Sequence, residues 1–192
     1  LSLHDALPIC NVVKPESWST IQKDLNQRLP IYKASFKQSA AKYNLDWHLL
    51  AAIGYQESYL KPTSVSPTGV RGLMMLTSST AQAMGVTNRT DPIQSIQGGA
   101  KYYDLMLDQY ENVPYPDRNW YALVAYNMGP GAVNQIQKRI KAQGKNPNQW
   151  VNLYDYLQRN QARNGRYKQA LQYVTRIRTY LEHLKTSNRI EV

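Results

Sequence analysis

The sequence contains one cysteine, one phenylalanine and no apolar run close to the roughly 20 residues that a membrane-spanning helix needs. The single cysteine, Cys10, cannot form an intramolecular disulfide, so the fold cannot depend on one. His4, His48 and His183 lack the spacing of metal ligands, and we expect neither a metal ion nor another cofactor. Sustained alternation of apolar and polar residues is also missing, apart from a short stretch around residues 72–76. These absences predict an all-α protein with at most a minimal strand-like segment.

Acidic residues are scarce, since 13 stand against 23 lysines and arginines and the net charge is +10. This excess favours polyanionic partners, namely nucleic acid, an anionic membrane surface or an acidic cell-wall polymer. The basic residues are scattered over several segments instead of lying along one helix, which argues against nucleic-acid binding. Tyrosine is abundant, with 15 residues, and it suits clefts that stack on sugars or bases as well as ordinary cores.

The first residues differ in character from the rest of the chain. The stretch that ends in Cys10 faintly resembles a lipoprotein cleavage site, but no basic leader precedes it and Ile9 is not small. We interpret residues 1–16 as a leader, a linker remnant or an artefact of the gene sequence, and leave them out of the fold. Residues 17–187 contain no internal repeat and no interdomain linker, so we interpret them as one domain, followed by a tail over residues 188–192.

The spacing of apolar residues and the capping signals predict a series of helices. Pro30 is expected to end the first helix and begin the second, while Asp46, Asp91 and Asp117 are expected to cap later ones. The predicted ranges are approximately 17–29, 30–43, 47–58, 78–85, 92–110, 117–128, 132–143, 148–157 and 167–185.

Glu57 is the one acid between Asp46 and Asp91, and it follows an apolar stretch over residues 49–54. A carboxyl at the inner end of a buried helix loses hydration, which disfavours its charged form and raises its pKa. A carboxyl that stays protonated near neutral pH can act as a general acid. The alternative interpretation is a capping or salt-bridged glutamate at the end of a helix.

Three further motifs carry side chains that suit a glycan. After a small-residue loop, Met74 and Met75 offer adaptable apolar surface for the floor of a groove, although either also suits a core position. Tyr126 and Asn127 combine a stacking face with amide hydrogen bonds, while an asparagine at a helix end is also typical of a cap. Tyr173, early in the last helix, suits either contact with the acid or a substrate hydroxyl, or a place in the core.

Taken together, these motifs resemble the lysozyme-like lytic transglycosylases of the SLT type, and most closely the catalytic domain of their membrane-bound F branch. The resemblance covers roughly residues 31–184, and it is the combination and order of the motifs that makes it specific. The residues that carry it are 57–58, 66–77, 90–92, 98–100, 125–129 and 173–174.

The resemblance implies a lysozyme-like helical fold, as in goose-type lysozyme, and a role for each matching side chain. Glu57 matches the catalytic acid, and Ser58 matches a residue that hydrogen-bonds near it. Many relatives have glutamine where this chain has Met75, which removes a polar contact, although the F branch resembles this chain in having methionine. The positions that match glycan-binding residues are Ser58, Met74, Met75, Tyr126, Asn127 and Tyr173.

The implied reaction is cleavage of the β-1,4 bond between N-acetylmuramic acid and N-acetylglucosamine in peptidoglycan, with formation of 1,6-anhydro-N-acetylmuramic acid. Relatives of this kind use no cofactor and act in the periplasm or cell envelope. They also carry an N-terminal regulatory domain and a lipoprotein signal, neither of which we identify here. We therefore expect a monomeric catalytic fragment whose peripheral association with the outer membrane depends on the missing N-terminal part.

Alternatives to this reaction stay open at the level of sequence. A goose-type-lysozyme-like hydrolase would share the fold and the acid but would use water as the acceptor. A non-catalytic glycan-binding module would keep its binding and its biological effect after Glu57→Gln. The nature of the products separates the first alternative, and the effect of that substitution separates the second.

Overall fold

The computed structural model describes the backbone of residues 15–190 and the side chains of residues 18–187. Within these residues the chain forms eight helices and two isolated β-bridges, Val65 with Arg71 and Arg71 with Leu76. The all-α prediction is confirmed, with only this minimal strand-like element. The helices are α1 (Pro15–Lys42), α2 (Trp47–Ser58), α3 (Ser78–Ala83), α4 (Pro92–Gln109), α5 (Asp117–Met128), α6 (Pro130–Ala142), α7 (Trp150–Asn160) and α8 (Gly165–Ile190).

The described residues divide into two compact units. The α2 unit contains residues 15–104 and 177–190, and the α5 unit contains Leu105–Arg176. The single domain proposed for residues 17–187 stays a prediction, as do its boundaries. Cys10 and nearly all of the expected leader lie outside the described residues. No helix in the described part of the chain is both long enough and apolar enough to cross a membrane.

Helix α1 corrects the expectation that Pro30 separates two helices, because it runs unbroken from Pro15 to Lys42. Proline has no N–H, so it cannot donate to the carbonyl oxygen of Asn26 one turn earlier. Both Pro30 and Asn26 are exposed, so water can satisfy that carbonyl. Buried side chains on both sides of the proline, Leu25 and Phe36, anchor the helix to the core and keep it continuous.

Helix α2 has the predicted bounds, because it has a capping residue at its start, buried apolar residues in its interior and a left-handed residue after its end. Asp46 caps its start, with Oδ1 accepting the N–H of His48 at 3.0 Å. Leu50 and Ile53 are fully buried, and burial of such a side chain contributes about 2 kcal/mol. The helix ends after Ser58 because Tyr59 takes the left-handed conformation, with φ of 55°.

The α5 unit has a core rich in aromatic side chains. The hydroxyl of the buried Tyr121 donates to the carbonyl oxygens of Pro147 at 2.6 Å and Gln149 at 3.0 Å. Asp117 is not the N-cap that the sequence predicted for α5. The carboxylate instead accepts the N–H of Trp150 at 2.9 Å, so it links α5 to the start of α7. The first N–H groups of a helix have no partner within the helix, and the N-cap residue of α7, Gln149, provides none with its side chain. The carboxylate of Asp117 therefore satisfies one of these donors.

Some predicted helix ends were wrong by a few residues. Helix α6 begins at Pro130 instead of residue 132, because proline is well suited to the first position of a helix. Helix α7 continues to Asn160, and α8 extends from Gly165 to Ile190, beyond the predicted residues 167–185. The polar residues at these ends did not mark where each helix stops, and the ends of a helix are uncertain by one or two residues in any case.

Candidate active site

Glu57 lies in the last turn of α2, where the helix leaves the core. The helix buries every residue from Leu49 to Tyr55, while Glu57 itself is half-buried. Glu57 therefore follows a buried segment of the helix and keeps part of its own surface exposed to solvent. The role of Glu57 as a general acid and the raised pKa expected from the sequence both stay predictions.

Ser58 holds the end of α2 against the loop that follows. The side chain is 3% exposed, and its hydroxyl lies 2.7 Å from the carbonyl oxygen of Leu73 and 3.1 Å from that of Gly54. Ser64 donates in turn to the carbonyl oxygen of Ser58 at 3.4 Å. The hydrogen bond from Ser58 to Leu73 spans 15 residues of sequence and fixes where the loop lies relative to the end of α2.

The loop over residues 64–76 closes on itself in a narrow turn. Arg71 and Leu76 exchange both backbone hydrogen bonds, at 3.1 and 2.9 Å, and the N–H of Gly72 donates to the carbonyl oxygen of Ser64 at 3.0 Å. Gly72 has a φ of 94°, and a Cβ at this position would lie 2.0 Å from the carbonyl oxygen of Arg89. Only glycine fits both this backbone conformation and this close approach.

Two residues that the sequence reasoning did not identify hold this loop in place. Arg89 Nη1 donates to the carbonyl oxygens of Gly69 and Leu76, each at 3.1 Å. Ser95 Oγ accepts the N–H of Met74 at 3.0 Å, and Ser95 is fully buried. One signal for Ser95 was available in the sequence. It stands in the inward face of an amphipathic helix, where a buried hydroxyl needs a partner.

The two methionines of the loop have different surroundings. Met74 is fully buried against α4, where a Cβ on Gly99 would lie 2.7 Å from its Cγ and Cε. Met75 is half-buried and has a φ of 50°. The interpretation of Met74 as part of a core therefore agrees with the structure, whereas Met75 retains exposed surface. Direct contact of either side chain with a glycan stays a prediction.

The other three predicted site residues belong to the α5 unit. Tyr126 is half-buried and Asn127 is exposed, both in the last turn of α5, and Tyr173 is buried in α8. Asn127 is not the cap of the helix, because Gly129 occupies that position with a φ of 89°. Arg166 Nη2 donates to the carbonyl oxygen of Met128 at 2.7 Å and so supports this helix end.

Three other carboxylates of the α2 unit have structural partners. Asp24 accepts the hydroxyl of Tyr55 at 2.9 Å and pairs with Arg28 at 3.2 Å. Asp46 caps α2, and Asp91 accepts the N–H of Ile93 at 3.0 Å, as expected for a cap of α4. Each of these three carboxylates helps to hold an element in place.

Burial and the hydrogen bonds of these acids shift the pKa values of Tyr55 and Asp46. Burial raises the pKa of Tyr55 well above its usual value, and the hydrogen bond to Asp24 adds to the effect. Burial acts to raise the pKa of Asp46, but hydrogen bonds from His48 and Lys185 outweigh it and hold that pKa below its usual value. Tyr55 thus remains a donor, and Asp46 remains a charged cap, at neutral pH. Among the described residues no group of three or more His, Cys, Asp or Glu side chains could hold a metal ion.

The family model of the transglycosylase SLT domain matches residues 34–149, which include α2, the loop and the end of α5. The chain belongs to this family. Glu57, Ser58, Met74, Met75, Tyr126 and Asn127 lie inside the matched segment, and Tyr173 lies beyond it.

Curated relatives carry the same helical region within longer chains. The SLT-family chain is 52% identical over 138 residues to membrane-bound lytic murein transglycosylase F of Stutzerimonas stutzeri strain A1501. It is 54% identical over 142 residues to the protein of the same name of Pseudomonas fluorescens strain Pf0-1. These alignments cover 71% and 73% of this chain but only 28% and 29% of the relatives. The chain thus spans less than a third of their length.

A solved structure shows the fold of the family. The X-ray structure of an inactive glutamate-to-glutamine mutant of lytic transglycosylase Slt from Pseudomonas aeruginosa superposes with a TM-score of 0.62. The similarity covers 82% of this chain and 24% of that one, at 23% sequence identity. The lysozyme-like fold expected for this SLT-family chain is thereby confirmed.

Proposed function

We propose that this SLT-family domain is a peptidoglycan lytic transglycosylase that cleaves the bond between N-acetylmuramic acid and N-acetylglucosamine and forms 1,6-anhydro-N-acetylmuramic acid. The observation that carries the proposal is the position of Glu57, half-buried at the end of a helix that buries every residue from Leu49 to Tyr55. Family membership and the names of the relatives support the same substrate and reaction. The glutamate-to-glutamine change in the inactive Slt mutant supports a glutamate as the catalytic group.

In the proposed mechanism Glu57 acts twice. As the acid, it protonates the glycosidic oxygen when the bond to C1 of the muramic acid breaks. As the resulting carboxylate, it takes the proton from the 6-hydroxyl of the same sugar, whose oxygen attacks C1 and closes the anhydro ring. Glu57 ends protonated, as it began, and no water is consumed. Such an acid works best when its pKa is near the working pH, which partial burial favours.

A single acid separates this reaction from ordinary glycoside hydrolysis. Hydrolases use two carboxyl groups, about 5–5.5 Å apart for retention and roughly 6.5–9.5 Å apart for inversion. In the α2 unit Asp24, Asp46 and Asp91 are engaged in structural hydrogen bonds. These bonds give the three aspartates structural roles, and the proposal assigns both the acid and the base role to Glu57.

Contact with the glycan is assigned to side chains with exposed surface. We expect Asn127 to hydrogen-bond an acetamido group, and Tyr126 and Met75 to contact the sugar rings, since all three are exposed or half-buried. Ser58 and Met74 are buried in the α2 unit, and we expect them to act mainly by positioning Glu57 and the backbone around it. Tyr173 is buried in α8, and for it we propose only the glycan-binding role that the resemblance implies. Removal of a positioning residue should lower kcat more than it raises KM.

The proposed setting is the cell envelope, where peptidoglycan lies. The relatives are named membrane-bound, which supports an envelope location for the whole protein. We further propose a periplasmic location, peripheral association with the outer membrane through an N-terminal part and a monomeric state, because these follow from the family resemblance.

The decisive experiment is mass spectrometry of the soluble products after the domain digests purified peptidoglycan. Muropeptides that end in 1,6-anhydro-muramic acid, one water lighter than the reducing form, are the expected products. Glu57→Gln should lower their rate of formation by at least about a hundredfold, because a general acid contributes that much or more. Glu111→Gln makes the same chemical change at an exposed position and should leave the rate unchanged.

Three outcomes would contradict the proposal. Reducing-end muropeptides would make the domain a hydrolase with water as the acceptor, as in the goose-type alternative. Equal activity of Glu57→Gln and the unmodified domain would remove the assigned acid. A lack of products from both proteins, combined with undiminished binding of peptidoglycan by both, would favour a non-catalytic glycan-binding module.

A further inference from the structure

A groove within the α2 unit lies apart from the residues assigned to catalysis. It has a volume of about 650 Å³ and lies among the C-terminal part of α1, the turn after α3 and the first half of α4. Ligand pockets in proteins have volumes of about 300–1,000 Å³, so the groove can hold a molecule of the size of a short peptide. Its polar side chains include Gln38, Lys42, Tyr43, Gln94, Gln97 and Lys101.

The charge of this groove is of one sign. Lys42 and Lys101 line it, and no aspartate or glutamate is among its lining residues. A cavity in the α5 unit provides the contrast, because its cations Lys145 and Arg159 both pair with Asp155, at 3.7 and 2.9 Å. Cations in a groove that has no acid among its lining residues favour binding of an anion.

Other features of the groove favour a peptide with carboxylates over a sugar. The Nζ of Lys42 lies 5.6 Å from the centre of the Tyr43 ring, so a cation covers the aromatic face on which a sugar would stack. Gln94 Oε1 accepts the backbone N–H groups of Thr87 and Asn88, at 3.0 and 3.2 Å. These bonds fix the amide orientation and leave Nε2 as the group that can donate to a ligand.

We propose that this groove, defined by Lys42, Lys101 and Gln94, binds the carboxylates of a short acidic peptide. Its natural ligand would be the stem peptide of peptidoglycan, and this identification rests on the proposed function. Each lysine supplies a charge-assisted donor, and the glutamine amides supply donors and acceptors for peptide groups. An accessory site for stem peptides would retain the domain on strands that carry them.

The test is a titration of the domain carrying Glu57→Gln with a free stem tetrapeptide, L-alanyl-γ-D-glutamyl-diaminopimelyl-D-alanine. Calorimetry and nuclear magnetic resonance would measure the affinity and locate the shifted residues. Lys42→Gln combined with Lys101→Gln should weaken binding by at least about tenfold, since each removes a charge-assisted hydrogen bond. Raising the salt concentration from about 0.05 M to about 0.5 M should also weaken binding, because exposed charges are screened.

Matched controls separate the groove from the overall positive charge. Lys138→Gln combined with Lys141→Gln removes two exposed charges from α6 and should leave binding unchanged. The same tetrapeptide with all carboxylates amidated should bind at least about tenfold more weakly, for the same reason. Equal affinity of the unmodified and groove variants, or equal affinity for the amidated peptide, would overturn the proposal.

A second arm distinguishes the source of the peptide. Binding of Glu57→Gln to peptidoglycan should decrease when an amidase has removed the stem peptides, and the groove variant should not respond to that treatment. Binding of the free peptide with no effect of the amidase would keep the carboxylate site and overturn the stem peptide as its ligand. Both experiments measure binding and neither requires catalysis. A domain that lacks the proposed reaction can therefore still bind the peptide in the groove, and an active domain can fail to bind it.

Discussion

The hydroxyl of Ser58 lies 2.7 Å from the carbonyl oxygen of Leu73 and so joins the residue after Glu57 to the middle of the loop. Both groups are buried, and water cannot replace the bond when it is lost. The free energy of unfolding and the position of the loop near Glu57 therefore depend on the same contact.

Ser58→Ala should lower the free energy of unfolding by about 1–2 kcal/mol, because it leaves a buried carbonyl oxygen without its donor. The melting temperature should fall by about 3–6 °C for a chain of this size. Ser64→Ala is the control, since its bond to the carbonyl oxygen of Ser58 is longer, 3.4 Å, and only half-buried. A loss as large for Ser64→Ala would show that the bond of Ser58 to Leu73 is not the important one.

Gly72→Ala and Gly69→Ala form a matched pair in the same loop. Both residues have positive φ, 94° and 83°, so alanine is strained by about 1–2 kcal/mol at either position. A Cβ on Gly72 would also lie 2.0 Å from the carbonyl oxygen of Arg89, whereas nothing lies within 4 Å of a Cβ on Gly69. Gly72→Ala should therefore lower the melting temperature several-fold more than Gly69→Ala. Similar shifts in the two would contradict the tight approach of the loop to Arg89.

Pro30→Ala should stabilise the protein. The substitution restores an N–H that can donate to the carbonyl oxygen of Asn26 inside the continuous helix α1. We expect a gain of about 1 kcal/mol, below the full helix-propensity difference because water already serves the exposed carbonyl. The melting temperature should rise by about 2–4 °C. Gln27→Ala, at a neighbouring exposed position with its N–H in place, should change it much less, and a fall for Pro30→Ala would refute the prediction.

His183 should lower the free energy of unfolding when the pH becomes mildly acidic. Burial lowers its pKa below the 6.5 of the unfolded chain, and its Nε2 lies 2.5 Å from Oε1 of Gln22. Between the folded and unfolded pKa values the unfolded chain binds more protons, so the free energy of unfolding rises with pH in that window. The stabilisation is complete above about pH 6.5 and is lost as the pH falls through the lowered pKa.

The check is a series of thermal melts between about pH 8 and pH 5, in which Asp46 stays charged. Protonation of His183 should lower the melting temperature of the unmodified domain by no more than about 3 °C over this range, because His183 is half-buried and partly screened. His183→Gln keeps a donor for Gln22 and should flatten the profile. An unchanged slope in that variant would assign the pH dependence to another group.

Local sequence signals were enough to predict the bounds of α2, the helix that carries the candidate acid Glu57. Asp46 provides a side-chain cap, apolar residues fill the helix from Leu49 to Ile53, and the helix ends after Ser58. All these signals lie within a few residues of one another and agree, so the bounds of α2 were predicted correctly. Pro30 gave the opposite signal, and the prediction was wrong because burial of Leu25 and Phe36 outweighed the local preference of one residue.

The amino-acid sequence by itself determined the helical class of this protein, its family and the position of Glu57 in the chain, because these depend on residue order and local pattern. Only the tertiary structure decided how the loop after Glu57 is held. Arg89 and Ser95 bind backbone groups that lie up to 21 residues away in sequence, and Gly72 is required because the carbonyl of Arg89 stands over it. Hydrogen bonds and steric contacts of that range have no local signature, since any serine or arginine can make them once packing brings it close.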